Sequence, residues 1–255
     1  MNQLFLHLNY VLYIGVSFDT VLHKHHAAQI CIGLESPFQL LNEKGVSVTC
    51  RAAIITANTA HQLQAHDTNI ASLYLDVQSD VYQQLLNEYD LNDEQAIQSL
   101  TISPELFTSL VGLYCEERGE YSAKAVINQI LNEFINQSTN KVNLDQRVLS
   151  VLQQLDNHIE SQIPIDDLAA SINLSTSRLA HLFKSNLGIP IRRYSLWRRI
   201  RFAIKHAIEH QSLTEGAHFA GFADSAHFSR VFKEMYGITP SMIVNKHFPI
   251  KLFFE

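Results

Sequence analysis

The sequence predicts an α+β chain: a β-rich first part, a helical middle, and an all-helical last part built from two copies of one unit. Three observations predict it. Apolar runs with many β-branched residues recur at near-regular spacing through residues 1–75. From about Val77 the apolar period changes from that of a strand to that of a helix. In the last third, one motif occurs twice, about fifty residues apart.

At 255 residues the chain has room for two ordinary domains. A hydrophobic fraction of 46% is globular and excludes wholesale disorder. No run of apolar residues is long enough for a membrane helix, and the first residues lack the basic region of a signal peptide. Cys31, Cys50 and Cys115 are scattered and without metal-ligand spacing, so buried, reduced thiols in a cytoplasmic protein are expected, with no membrane partner. Charge divides the chain. Residues 1–140 hold 5 Lys+Arg against 15 Asp+Glu, a net −10, and residues 141–255 hold 14 against 10, a net +4, together the chain's −6. The second half is therefore the candidate for polyanion contact.

In the first half, Val11–Val16, Ala28–Leu34, Val46–Ala52, Ala53–Thr56 and Asn69–Asp76 read as strands, with a turn at Asn42-Glu43-Lys44-Gly45. Short strands in this arrangement suggest a small barrel or sandwich. Within it lie His23-Lys24-His25-His26, then Gln29, and further on His61. A His-x-His on a strand puts both imidazoles on one face, and a third His from another strand can complete a metal site. This pattern resembles the cupin barrel, whose first motif is His-x-His followed by Glu and whose second motif ends in His. Gln29 stands where the Glu belongs, and a neutral amide is a poorer ligand. The glycines that frame cupin motifs are mostly missing. The expectation is therefore that the histidines line a barrel strand, with no metal and no cofactor.

Three helices follow. Val77, Val81, Leu85 and Leu86 share a face in the first. Pro104 to Glu117 carries Leu106, Leu110, Leu113 and Tyr114. Ser122 to Gln137 carries Val126, Ile127, Ile130, Leu131, Phe134 and Ile135, a stripe wider than a lone surface helix needs. Intramolecular core and a dimer seam both fit it. Gln137-Ser138-Thr139-Asn140-Lys141 reads as a linker, dividing the chain into domains 1–138 and 139–255.

Beyond the linker, Leu144, Val148, Val151, Leu152, Leu155 and Ile159 form a helical stripe. Ile165 to Ile172 is a short helix, Asn173-Leu174-Ser175 a tight turn with Ser175 as N-cap, and Thr176 to Asn186 a second helix stopped at Gly188-Ile189-Pro190. That is a helix-turn-helix, exposing Ser177, Arg178, His181 and Lys184. A long helix, about Ile191 to His210, bears Arg192, Arg193, Arg198, Arg199, Arg201 and Lys205. Another short helix runs from Ser212 to Ala220, and after Gly221-Phe222-Ala223-Asp224 a last helix begins at Ser225. Asp224 is its N-cap, Phe228, Val231 and Phe232 its apolar back, Gly237 its left-handed stop, and Pro240 prevents resumption. Its front carries Ser225, Ala226, Ser229, Arg230 and Lys233. Leu179-x-x-Leu182-Phe183-Lys184-x-x-x-Gly188-Ile189 thus recurs as Phe228-x-x-Val231-Phe232-Lys233-x-x-x-Gly237-Ile238. A connecting helix of some twenty residues spans about 30 Å at about 1.5 Å per residue. Successive major grooves on one side of B-DNA are about 34 Å apart, so two such helices could enter adjacent grooves.

From Asn143 to Val244 the sequence resembles the AraC/XylS family of transcriptional regulators. The residues that carry the likeness are Leu168-Ala169, Ser175, Leu179, Leu182-Phe183-Lys184, Gly188, Tyr194, Arg199, Ala203, Ala217, Gly221-Phe222, His227 through Lys233, Gly237 and Thr239-Pro240. The resemblance implies a fold in two parts. One is a cupin-like N-terminal β-barrel with a helical dimerisation segment. The other is an all-α C-terminal domain of two helix-turn-helix units joined by a long helix. It implies promoter DNA, a small-molecule effector and RNA polymerase as partners, and a homodimer. By motif position, base contacts fall to Ser177, Ala180 and His181 in the first unit and to Ser225, Ala226 and Arg230 in the second. Lys184, Arg192, Arg193 and Lys233 suit phosphates. The effector pocket would include His23, His25, Gln29 and His61. Gly216 departs from the family, which usually buries Ile or Leu there, so a locally loose second unit is expected. The opposing reading, a metal-dependent cupin enzyme using His23, His25 and His61, is disfavoured by Gln29, by the missing glycines and by the repeat, so no enzyme activity is expected.

Overall fold

The computed structural model describes residues 2–6, 10–65, 68–77, 80–89, 91, 96–115, 120–134, 144–158, 163–187, 189–244 and 250–254. The chain divides into two compact units, one of Met1–Asn140 with Phe232–Glu255, the other Lys141–Val231. The predicted linker, Ile135, Ile159 and Gly188 lie outside the described residues.

Among the described residues the first unit holds ten strands: β1 (Asn2–Leu6), β2 (Tyr10–Val16), β3 (Ala28–Gly33), β4 (Phe38–Asn42), β5 (Ser47–Cys50), β6 (Ala52–Ile55), β7 (His61–Gln64), β8 (Asn69–Leu75), β9 (Ile97–Leu100) and β10 (Ile250–Phe254). They form a seven-stranded sheet in the order β10-β1-β2-β8-β3-β6-β9 and a three-stranded sheet in the order β5-β4-β7. Every pairing is antiparallel except β1 with β10. The barrel anticipated from sequence is not closed: among the described residues no ladder joins the two sheets. They face one another across a shared core instead. Phe38, Leu40 and Leu63 come from the small sheet, and Cys31, Ala53, Ile55 and Ile70 from the large one. The central strand β3 is buried along its whole length, which explains its near-continuous apolar sequence. Of the three thiols only Cys31 is buried; Cys50 is half-buried and Cys115 exposed.

The helices of this unit are α1 (Asp80–Glu88), α2 (Pro104–Cys115) and α3 (Glu120–Phe134). Ala123, Val126, Ile127, Ile130 and Phe134 of α3 are buried within the chain itself, so most of its wide stripe is intramolecular core. Val111 and Leu131 stay half-buried.

The second unit is α4 (Gln146–Asn157), α5 (Ile165–Ser171), α6 (Thr176–Leu187), α7 (Ile191–His210), α8 (Leu213–Phe219) and α9 (Ser225–Tyr236), whose last turn groups with the first unit. Asp145 caps α4 by accepting from Arg147 N–H at 2.9 Å, and Ser212 caps α8 by accepting from Glu215 N–H at 3.2 Å. Along α7, Ile191, Tyr194, Trp197, Ile200, Ala203, Ile204, Ala207 and Ile208 are buried, and α8 and α6 pack upon it. No helix among the described residues is long and apolar enough to cross a membrane.

Two expectations change. Pro240 does not merely stop α9; it opens a further short helix, α10 (Pro240–Ile243), where its missing N–H and fixed φ are suited to the first turn. Gly216 does not leave the gap from which a loose second unit was expected. A Cβ there would lie 2.4 Å from the Ala203 carbonyl oxygen and 2.7 Å from Ala207 Cβ, so α8 packs backbone-close on α7. The missing side chain is replaced by the neighbouring helix rather than by a void.

Candidate nucleic-acid interface and histidine cluster

The turn of each helix-turn-helix is set by the same backbone device. Asn173 (φ 56°) and Gly221 (φ 71°) both take the left-handed conformation after α5 and α8. In each copy the next N–H returns to the same place: Leu174 to Ala169 O at 2.9 Å, and Phe222 to Ala217 O at 2.9 Å. Each second helix is then capped, α6 by Ser175 Oγ accepting from Arg178 N–H at 3.3 Å, and α9 by Asp224 Oδ1 accepting from His227 N–H at 2.6 Å.

This fixes which faces look outward. On α6, Leu179, Phe183 and Leu187 are buried, while Ser177, Ala180, His181 and Lys184 are exposed. On α9, Phe228, Val231, Phe232 and Met235 are buried, Ala226, Arg230 and Lys233 exposed, and Ser225 half-buried. Arg192 and Arg193 stand exposed at the start of α7. Arg230 enters no ion pair among the described residues, leaving its five N–H donors available.

The remaining cations of α7 are not a uniform solvated face. Arg199 Nε donates to Ala220 O at 2.8 Å, its NH2 group donates to Gly221 O, and its guanidinium lies 4.4 Å from the centre of the Phe222 ring. Partial burial pulls its pKa below that of free arginine. It therefore holds the turn of the second unit to α7, a role that motif matching placed but did not explain. Arg198 pairs with Asp156, tying α7 to α4. Arg201 sits 4.7 Å over the Trp197 ring.

In the first unit, His23, His25 and His61 come together, each buried, with one ring nitrogen of each within 4.8 Å of the others. An isolated antiparallel bridge makes this possible: His23 N–H donates to His61 O at 3.0 Å and His61 N–H to His23 O at 2.9 Å. Each Nδ1 meets a main-chain carbonyl, Val21 O at 2.9 Å, Ala27 O at 2.8 Å and Thr59 O at 2.9 Å respectively. All three pKa values are lowered, chiefly by burial, that of His23 to about 4; mutual repulsion adds to the effect at His23 and His61. Gln29 lies beside them, with Oε1 3.0 Å from His25 Nε2 and Nε2 3.2 Å from the Tyr74 hydroxyl and 3.4 Å from Ser72 Oγ. Sequence spacing named all four residues. His26 is turned elsewhere, with Nδ1 2.5 Å from Asn58 Oδ1.

Two further residues of this unit reach the cluster without having been anticipated there. The Tyr236 ring stacks on His25 with centres 6.3 Å apart. Gly237 (φ 70°) accepts from Val21 N–H at 3.0 Å, and a Cβ on it would lie 2.6 Å from His23 Nδ1. In sequence Gly237 signals only a helix stop; the close approach leaves no local signature.

Residues 168–246 match the helix-turn-helix domain family. The probable transcriptional regulator LumQ of Photobacterium leiognathi is 23% identical over 226 residues, covering 86% of this chain and 90% of that protein. The arabinose operon regulatory protein of Escherichia coli is 34% identical over 131 residues, 48% of this chain and 44% of its own length. Among solved structures, ToxT of Vibrio cholerae shares the fold over 92% of this chain and 98% of its own, at TM-score 0.62 and 14% identity. ToxT has also been solved with a bound unsaturated fatty acid.

Proposed function

Because the chain belongs to the AraC/XylS family of DNA-binding transcriptional regulators, we propose that it reads promoter DNA with α6 and α9. In this reading Ser177, Ala180, His181, Ser225, Ala226 and Arg230 contact bases, and Lys184, Arg192, Arg193 and Lys233 contact phosphates. The observation that carries it is the pair of polar and basic helix faces, exposed on two copies of one turn and joined by the twenty-residue α7. Arg230 is the strongest reader, since a guanidinium paired in bidentate fashion with guanine discriminates by about 1–3 kcal/mol.

Residues 1–138 are assigned effector binding and dimerisation in a cupin-like β-structure, and residues 139–255 the DNA-binding role. The effector pocket is placed at His23, His25, Gln29 and His61. Support for this placement comes from the convergence of three buried imidazoles and the Gln29 amide at one point of the unit. Effector binding shifts a population between arrangements that bind DNA and arrangements that do not. The regulator acts as a homodimer, contacts RNA polymerase, and works in the cytoplasm where promoter DNA is. The relatives are regulators, and no reaction is assigned to the histidines.

Footprinting on the promoters beside its own gene tests the reading. Arg230→Ala is expected to relax preference at one base position, whereas Arg193→Ala weakens all sequences alike and lowers the salt slope by about 1. Identical behaviour of the two variants would undo the division between base and phosphate contacts. Loss of all salt-dependent promoter binding in the parent protein would favour an interaction module that does not touch DNA.

A further inference from the structure

We propose that His23, His25 and His61 form a binding site for one divalent first-row transition-metal ion, zinc being the type member. This gives the effector pocket a ligand class and rests on its placement there. The geometry is that of a ligand set held from behind. All three Nδ1 atoms face main-chain carbonyls, which makes Nδ1 the protonated nitrogen and leaves each Nε2 with a lone pair. Such outer hydrogen bonds orient metal-ligating imidazoles and fix their tautomer.

Those lone pairs are available to an ion. Among the described residues, no protein group hydrogen-bonds to Nε2 of His23 or of His61. His25 Nε2 has only Gln29. With its own proton on Nδ1, His25 needs a donor there, so the Gln29 amide must present its NH2 and turn its oxygen to the Ser72 and Tyr74 hydroxyls. The ring nitrogens already lie within 4.8 Å of one another. Bonds of about 2.0–2.1 Å to a common centre bring two nitrogens to within about 4.2 Å of one another, so the rings must close in on an ion to bind it. Three imidazoles with no carboxylate leave a fourth position open, for water or for a second ligand.

The test uses the full-length protein, stripped with chelator and titrated with Co²⁺ and then Zn²⁺. Expected are one equivalent bound, visible bands of tetrahedral cobalt, and their loss on zinc displacement. His25→Ala and His61→Ala should each weaken binding at least a hundredfold. His26→Ala, whose ring faces Asn58, and His210→Ala, on α7, should bind as the parent does. No stoichiometric uptake, or parental affinity in His61→Ala, overturns the proposal. If the buried variants do not fold, zinc-edge absorption of the parent decides: three imidazole nitrogens support the site, and fewer overturn it. Footprints with and without zinc separate this proposal from the effector reading. Binding without any change of footprint leaves the metal site and removes its effector role. A footprint that answers to another ligand, while no ion binds, overturns the metal and keeps the pocket.

Discussion

The two helix-turn-helix copies share their turn and differ in what lies beneath it. Both close the first helix with a left-handed residue and the same return hydrogen bond, so α5–α6 and α8–α9 present their second helices alike. Counting back from those turns, Leu168 of α5 corresponds to Gly216 of α8, and Ala169 to Ala217. In the first copy a leucine fills the space and is 2% exposed. In the second, the space is removed, because α8 has moved in until its backbone meets Ala203 and Ala207 of α7. The presentation of a reading helix is thus kept by turn chemistry, while the packing that supports it is free to exchange side chain for proximity.

Substitution at Gly216 gives the sharpest break in this comparison. Gly216→Ile, which restores the larger residue, is expected to lower stability by about 3 kcal/mol or more, since overpacking against a fixed backbone costs at least the upper part of the ordinary range. Thermal or urea unfolding measures it. A variant as stable as the parent would mean that the close approach of α8 is not what holds the second copy. Next in size is Arg199→Ala. It leaves the Ala220 and Gly221 carbonyls without their charged donor and uncovers Phe222. Hydrogen bonds to charged groups contribute about 1.5–3 kcal/mol, so a loss within that range is expected, with reading by the second copy impaired more than by the first. Footprints over the two half-sites distinguish local from general damage; equal loss at both would assign Arg199 to α7 as a whole.

What the sequence revealed follows the range of each signal. The helices from α1 to α9 were readable because period, cap and stop are local, and α7 matches its expected span, Ile191–His210. Ser175, Asp224 and Gly237 acted as caps and stops in the places their chemistry favours. Strands β1, β4, β7, β9 and β10 were not anticipated. Each is only four or five residues long, too short for a clear alternation, and β10 exists through pairing with β1 across the whole chain. Open sheets rather than a closed barrel is likewise a matter of long-range pairing. In the histidine cluster, the residue types, the spacing and the meeting of the residues were legible, but the means of convergence was not. It depends on the His23–His61 bridge, on carbonyls of Val21, Ala27 and Thr59, and on Tyr236, which arrives from the far end of the chain. Gly216 shows the opposite failure. A missing aliphatic residue looks like a cavity only if the neighbouring helix is assumed to stay where it is.

The smallest expected effect bears on the part the copies share. Their second helices are capped by different groups, a neutral hydroxyl at 3.3 Å on α6 and a carboxylate at 2.6 Å on α9. Both caps sit on exposed residues, so an alanine should cost about 0.5–2 kcal/mol, typically ~1, in either case. The carboxylate bond is shorter and charge-assisted, and it also meets the positive end of the α9 dipole. Asp224→Ala is therefore expected to destabilise more than Ser175→Ala, and the gap should narrow in high salt, which screens the carboxylate but not the hydroxyl. Paired urea titrations at low and high salt measure both. If the two variants cost the same at low salt, capping geometry alone sets these helices, and the difference between the copies lies wholly in how α5 and α8 pack against their neighbours.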